Sequence, residues 1–155
     1  LVGASCHIGW RNIHLTTIRV DYEDSHEKDK AAILKYAPQY KDQVYAITIG
    51  SEALYRESLD GAQLAKKIKE MKAELPGFKV GTADSWNKYQ DGTANAVIEG
   101  GADILLVNGF SYWQGQTDAN ATASFFDDIM QAYGHIQQIS GGVDKIELWV
   151  GETGE

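Results

Sequence analysis

Two glutamates stand directly after apolar, β-branched runs. Glu52 follows Val44-Tyr45-Ala46-Ile47-Thr48-Ile49-Gly50, and Glu152 follows Ile146-Glu147-Leu148-Trp149-Val150-Gly151. If both runs are parallel strands of one sheet, their C-terminal ends lie along one edge, and the two carboxyl groups share that rim. A pair of carboxyl groups so placed can break a glycosidic bond. One, protonated, donates to the leaving oxygen; the other, ionised, attacks the anomeric carbon or activates water. A separation of about 5–5.5 Å implies retention of configuration, and about 6.5–9.5 Å inversion. The same positions also suit two solvated glutamates, with Arg56 as an ion-pair partner of Glu52.

The residues around the two glutamates fit a carbohydrate. Tyr55, Trp86, Tyr112 and Trp113 all follow strand-like runs, where rings can stack on the apolar faces of sugars, and Tyr112 beside Trp113 places two large rings at one strand exit. On a strand, such neighbours point to opposite sides. Asn87, Asn108, Gln114 and Gln116 can hydrogen-bond hydroxyls. Each Trp is equally suited to a core.

Other chemistries are poorly served. Ser51 lies in Gly50-Ser51-Glu52-Ala53, which is not the G-x-S-x-G turn of a serine hydrolase. His7, His14, His26 and His135 show no metal-ligand spacing, so no metal site and no cofactor is expected. Gly50 stands alone after its strand, and no dinucleotide or P-loop fingerprint follows a strand. Cys6 is the single cysteine; it suits an inert buried thiol or a partner outside this chain. Asn120-Ala121-Thr122 is an N-glycosylation sequon, meaningful in a secreted protein.

The chain that must position these groups has 155 residues, enough for one domain. Its formal net charge of −8 provides no basic footprint for nucleic acid. No apolar run approaches the roughly 18 residues that a membrane span needs. Strand-like runs at Leu1–Cys6, Leu15–Tyr22, Val44–Gly50, Phe78–Thr82, Asp103–Asn108 and Ile146–Gly151 alternate with helical stripes. Asp24 and Glu27 have capping-box spacing ahead of Ala31, Ala32, Ile33 and Leu34, a helix limited by Pro38. Leu64, Ile68, Met71 and Leu75 mark a second helix, ended by Pro76-Gly77. Ala94–Glu99 forms a short third. Phe125, Ile129, Tyr133 and Ile136 mark a fourth, starting near Asp118 or Thr122 and stopping before Gly141-Gly142. This alternation predicts an α/β fold of parallel strands joined by crossovers. At this length the pattern alone favours an open doubly wound sheet over a (β/α) barrel, which takes about 250 residues.

Four segments then carry a resemblance: Ile49-Gly50-Ser51-Glu52-Ala53-Leu54-Tyr55-Arg56, Gly81-Thr82-Ala83-Asp84-Ser85-Trp86, Asn108-Gly109-Phe110-Ser111-Tyr112-Trp113-Gln114-Gly115-Gln116 and Trp149-Val150-Gly151-Glu152-Thr153-Gly154. With Ser124–Ala132 between the last two, they resemble fungal glycoside hydrolase family 17, in particular its cell-wall β-1,3-glucanases and glucanosyltransferases, over residues 15–154. The resemblance implies a parallel (β/α)8 TIM-type barrel and a retaining mechanism on β-1,3-glucan, by hydrolysis or transfer. Glu52 matches the general acid/base after the fourth strand, and Glu152 the nucleophile after the seventh. Tyr112 matches a tyrosine near the nucleophile, and Asp84, Trp86, Asn108 and Gln114 match cleft-lining positions. Ser51 stands where many relatives have Asn.

The resemblance places residues 1–155 as one partial barrel domain, about strands two to seven. The first and eighth strands and the final helices are lacking, and Glu155 stands where relatives carry Trp. It further implies a secreted, cell-wall, glycosylated and monomeric protein whose partner is β-glucan. A glucan-binding fragment without turnover, or a glycosidase on another β-glycan such as xylan, are the alternatives.

Overall fold

The computed structural model describes residues 3–8 and 11–154, with side chains from Leu15 to Gly154. The strand expected at Leu1–Cys6 therefore lies partly outside the described residues, as do Glu155 and the thiol of Cys6.

Among the described residues, six strands form one sheet in the order of the sequence: β1 (Gly3–Ile8), β2 (Arg11–Ile18), β3 (Val44–Ser51), β4 (Lys79–Ser85), β5 (Ile104–Asn108) and β6 (Glu147–Val150). From β2 to β6 every pairing is parallel. The first pairing corrects the expectation of parallel strands throughout: β1 runs antiparallel to β2, Ile8 opposite Arg11. Two residues between the strands leave no length for a parallel crossover, which needs a dozen or more. The six expected barrel strands thus become five parallel strands and one antiparallel partner. A second expectation also falls. A doubly wound sheet reverses its strand order at a switch point, and here the order never reverses.

Five α-helices connect the strands among the described residues. They are α1 (Glu23–Tyr36), α2 (Gly61–Glu74), α3 (Trp86–Gln90), α4 (Asn95–Glu99) and α5 (Asp118–Ser140). The start of α1 differs from its expected capping box. Tyr22 is the N-cap and contributes no side-chain cap, while its carbonyl accepts from the amides of Ser25 and His26. Asp24 lies inside the first turn, where its charge favours the helix dipole instead. The capping box belongs to α2. There Asp60 Oδ1 accepts from the Gln63 amide at 2.8 Å, and Gln63 Oε1 accepts from the Asp60 amide at 2.9 Å. Pro38 sits in a 3-10 turn, Ala37–Tyr40, that follows α1 directly. Leu64, Ile68, Met71 and Leu75 are all buried, as the stripe predicts. α5 starts at Asp118 and ends on Gly141, whose φ of 82° supplies a left-handed cap.

The sheet separates two apolar layers. On the helix side, Ile47, Ile49, Val80, Leu105 and Val107 pack against Ile33, Leu64, Ile68, Met71, Ile129 and Ile136. On the helix-free face lie Leu15, Ala46, Ala83, Ile104 and Leu106, with Tyr45 and Trp149 over them. Here side chains reach across the sheet. Tyr45 of β3 donates to Glu147 Oε1 of β6 at 2.5 Å, and its ring stacks on Trp149 at 5.2 Å between centroids. Two strands intervene, a flat separation of about 14 Å. Contact over that span accords with a sheet curled around its helix-free face.

Candidate active site

Polar groups gather at the C-terminal ends of the parallel strands. β3 leaves the sheet through an irregularity, since its register with β4 shifts between Thr48 and Ser51. Gly50 turns the chain there with φ +75°; a Cβ on it would come within 3.1 Å of both Ala53 Cβ and Val20 Cγ2. Glu52 then takes φ 55°, a left-handed conformation that costs a non-glycine residue of order 1–3 kcal/mol. Bulges beside active sites commonly re-aim a side chain in this way.

Asp84, at the end of β4, holds this strained turn. It is fully buried, and its carboxylate accepts from the backbone amides of Leu54 (2.8 Å), Tyr55 (3.1 Å) and Ser85 (2.8 Å). Glu52's own amide donates to Ala83 at 2.8 Å, and its carbonyl accepts from the Arg56 amide at 2.9 Å. Burial pushes the Asp84 carboxyl above the usual carboxylate range. Its three amide bonds offset only part of that rise, and the neighbouring charge of Glu52 adds to it.

Glu152 is fixed by its backbone. Its carbonyl accepts from the Gly109 amide at 3.0 Å, and Gly151 donates to Val107 at 3.0 Å. Gly151 has no room for a side chain, because a Cβ would lie 2.5 Å from Asn108 Oδ1 and 2.9 Å from Leu106 Cβ. Asn108 is fully buried and donates from Nδ2 to Glu52 Oε1 at 3.3 Å.

Glu52 and Glu152 line one open cavity of about 420 Å³. Tyr55, Trp86, Trp113 and Gln114 line it as well, together with Ser85, Asn87 and Phe110. Trp113 is 77% exposed and Tyr55 52%, so neither ring serves as core. Gln114 is anchored to α5: it donates to Asp128 and accepts from Ser124 at 2.9 Å. Burial raises the Asp128 carboxyl, against the lowering effect of the Gln114 bond.

The remaining predicted residues are placed differently. Asp84 and Asn108 lie beneath the cavity and hold its wall. Tyr112 is absent from the cavity lining and packs edge-on against Trp113 at 5.1 Å. The two rings therefore do not diverge as strand neighbours would, because Tyr112–Gln114 is a 3-10 turn. Arg56 bonds the carbonyls of Ser51 and Glu52 rather than a carboxylate. Asn120 lies exposed in the first turn of α5, with Nδ2 on Gln116 Oε1 at 2.6 Å.

Ser85 and Phe110 were not singled out by residue type. Their position was the available signal, since each sits at or just beyond a strand's C-terminal end. Among the described residues, no group of three or more His, Cys, Asp or Glu could hold a metal ion.

Known proteins are similar to this chain in sequence and in fold. The sequence is 46% identical over 134 residues to a glucan 1,3-beta-glucosidase of Arthroderma benhamiae, covering 86% of this chain and 44% of that protein. It is also 46% identical over 145 residues to a glucan 1,3-beta-glucosidase of Saccharomyces cerevisiae, covering 85% and 46%. The chain thus spans a little under half the length of these relatives. The fold superposes on an active-site mutant of the Rhizomucor miehei beta-1,3-glucanosyltransferase in complex with laminaritriose. That match has a TM-score of 0.69 and 31% identity, over 88% of this chain and 48% of that one. The same enzyme has been solved as a glycoside hydrolase family 17 member, in line with the resemblance read from the motifs. Residues 7–154 match the family model of the BtgE/BtgC glycoside hydrolase domain, and the chain belongs to that family.

Proposed function

We propose that this chain carries the catalytic rim of a retaining enzyme that cleaves β-1,3-glucan and transfers the released segment to water or to another glucan. The observation that supports it most is that Glu52 and Glu152, on strands β3 and β6, line one cavity together with the rings of Tyr55, Trp86 and Trp113. In the first step a Glu152 oxygen bonds to the anomeric carbon. Glu52 gives its proton to the leaving glycosidic oxygen as that bond breaks. In the second, Glu52 takes a proton from water or a sugar hydroxyl, whose oxygen displaces Glu152. The exposed rings of Tyr55 and Trp113 hold sugar faces, the half-buried Trp86 backs them from the core, and Asn87, whose Oδ1 is buried without a partner among the described residues, accepts from a hydroxyl.

The parallel strands β2–β6 form part of a (β/α)8 barrel, with the cavity at its C-terminal face. Secretion to the cell wall, action as a monomer and a glycan on the exposed Asn120 complete the reading.

The test is laminarin cleavage by the full-length protein. Glu152→Gln and Glu52→Gln should each lose at least about 10³-fold in kcat; parental rates in both variants would remove these roles. Products longer than the substrate from laminari-oligosaccharides would establish transfer. Retention on insoluble β-1,3-glucan without release of reducing sugar would instead establish binding alone.

A further inference from the structure

The sequence casts Asn108 as a binder of sugar hydroxyls, and the structure gives it a different neighbour. Its side chain is fully buried, and its amide faces the Glu52 carboxylate. Nδ2 donates to Glu52 Oε1, while Oδ1 is buried without a partner among the described residues, against the bare Cα of Gly151. The amide is therefore oriented by Glu52 and by the absence of a Cβ on Gly151, and no other described residue bonds it.

Resting on the acid/base reading of Glu52, we propose that Asn108 is a positioning residue that decides which oxygen of Glu52 carries the proton. An amide N–H held against Oε1 needs an acceptor there, so the protonated carboxyl keeps Oε1 as its carbonyl oxygen and bears hydrogen on Oε2. The same bond suits the ionised form, in which Oε1 still accepts and Oε2 is the oxygen that takes up a proton. One donor thus serves both halves of the cycle and leaves the other oxygen to the substrate. The proton on Oε2 passes to the glycosidic oxygen as its bond to the anomeric carbon breaks, and Oε2 recovers a proton from the attacking hydroxyl. A donor on both oxygens would oppose protonation, and a donor on neither would let the proton settle on the oxygen turned away from the bond.

The test compares two substrates with the full-length protein: a laminari-oligosaccharide, whose leaving oxygen needs a proton, and a laminaribiosyl fluoride, whose leaving group does not. Asn108→Ala and Asn108→Asp should each lower kcat/KM on the oligosaccharide by about 10–100-fold, the range for a hydrogen bond to a charged group. On the fluoride they should stay within about twofold of the parent. Two variants of different size guard against one failing to fold, and thermal unfolding verifies each. Equal losses on both substrates, or no loss on either, would overturn the positioning role. Glu52→Gln separates the two levels. If it shows the substrate contrast and the Asn108 variants do not, only this inference fails; if it keeps full activity on the oligosaccharide, the acid/base reading fails and takes this inference with it.

Discussion

At the N-terminal ends of the strands, Glu147 collects bonds from Tyr45 (2.5 Å), Trp149 (2.7 Å) and Lys79, and Lys79 also donates to Tyr45 at 2.8 Å. At the C-terminal ends, among the described residues, the Glu52 carboxylate accepts a single bond of 3.3 Å. The first cluster uses its polar groups on one another. The second leaves Asn87 Oδ1 and Asn108 Oδ1 without partners among those residues and holds Glu52 in a left-handed conformation. Satisfied networks stabilise a fold, while unused capacity and strain are what a site reserves for a ligand.

Their carboxyl groups respond to pH in opposite senses. Burial pushes the Glu147 carboxyl up, but the bonds from Lys79, Tyr45 and Trp149 outweigh it and hold it below the usual carboxylate range. A depressed acid adds stability above its unfolded value and loses it as pH falls through the folded one. Asp84 is raised, so the folded protein holds its proton more firmly than the unfolded chain does. Its contribution weakens as pH rises from the unfolded value through the folded one.

The sharpest way to break the comparison is Asp84→Ala. It leaves the amides of Leu54, Tyr55 and Ser85 without their acceptor and should cost about 3 kcal/mol in denaturant unfolding. Release of the Glu52 turn should lower activity as well. Stability within about 1 kcal/mol of the parent would show that the rim does not depend on Asp84. Trp113→Ala comes next. It should weaken glucan binding about tenfold, the contribution of one stacked ring, and leave the unfolding midpoint unchanged because the ring is exposed. An altered midpoint with parental binding would mark Trp113 as structural.

Glu147→Gln acts at the opposite end. It should cost about 1 kcal/mol at neutral pH, a modest figure because Lys79 is 44% exposed at its side chain and its ion pair is screened. Parent and variant should converge as pH falls below the usual carboxylate range, with activity per folded molecule unaltered. A difference that grows in acid would reverse the sign given to Glu147. The smallest effect belongs to Asp60→Ala, which removes the α2 capping box, whose two bonds join Asp60 and Gln63 and involve neither cluster. Thermal unfolding should register about 0.5–1 kcal/mol with no change in kcat.

Much of the architecture was legible because it is written locally. The stripe Leu64, Ile68, Met71, Leu75 repeats at the helical period, and the runs at Val44–Gly50 and Asp103–Asn108 are apolar because both faces of those strands are covered. The antiparallel pairing of β1 was missed because the expected runs stop at Cys6 and resume at Leu15, whereas β1 reaches Ile8 and β2 starts at Arg11, leaving two residues between them. The misplaced capping box has a similar cause. Asp24 and Glu27 have the spacing, yet the helix begins one residue ahead of Asp24, and only backbone geometry sets that boundary. In the site, Glu52, Glu152, Tyr55, Trp86, Trp113 and Gln114 were named from their positions after strands, and they line one cavity. Asp84 and Asn108 were named too, but their burial beneath the rim depends on how neighbouring strands pack.

By itself the sequence determined an alternating α/β chain with a glutamate at the exit of two strands and aromatic residues beside them. Hydrophobic period and turn chemistry act over a few residues, so they can be read along the chain. Tertiary structure decided the sequential strand order, the meeting of Tyr45 with Glu147 across two strands, and the partner of each polar side chain at the rim. Those depend on register, sheet curvature and burial. A residue's surroundings there are supplied by segments distant in sequence, as Asn108 has its amide against Glu52 and its oxygen against Gly151.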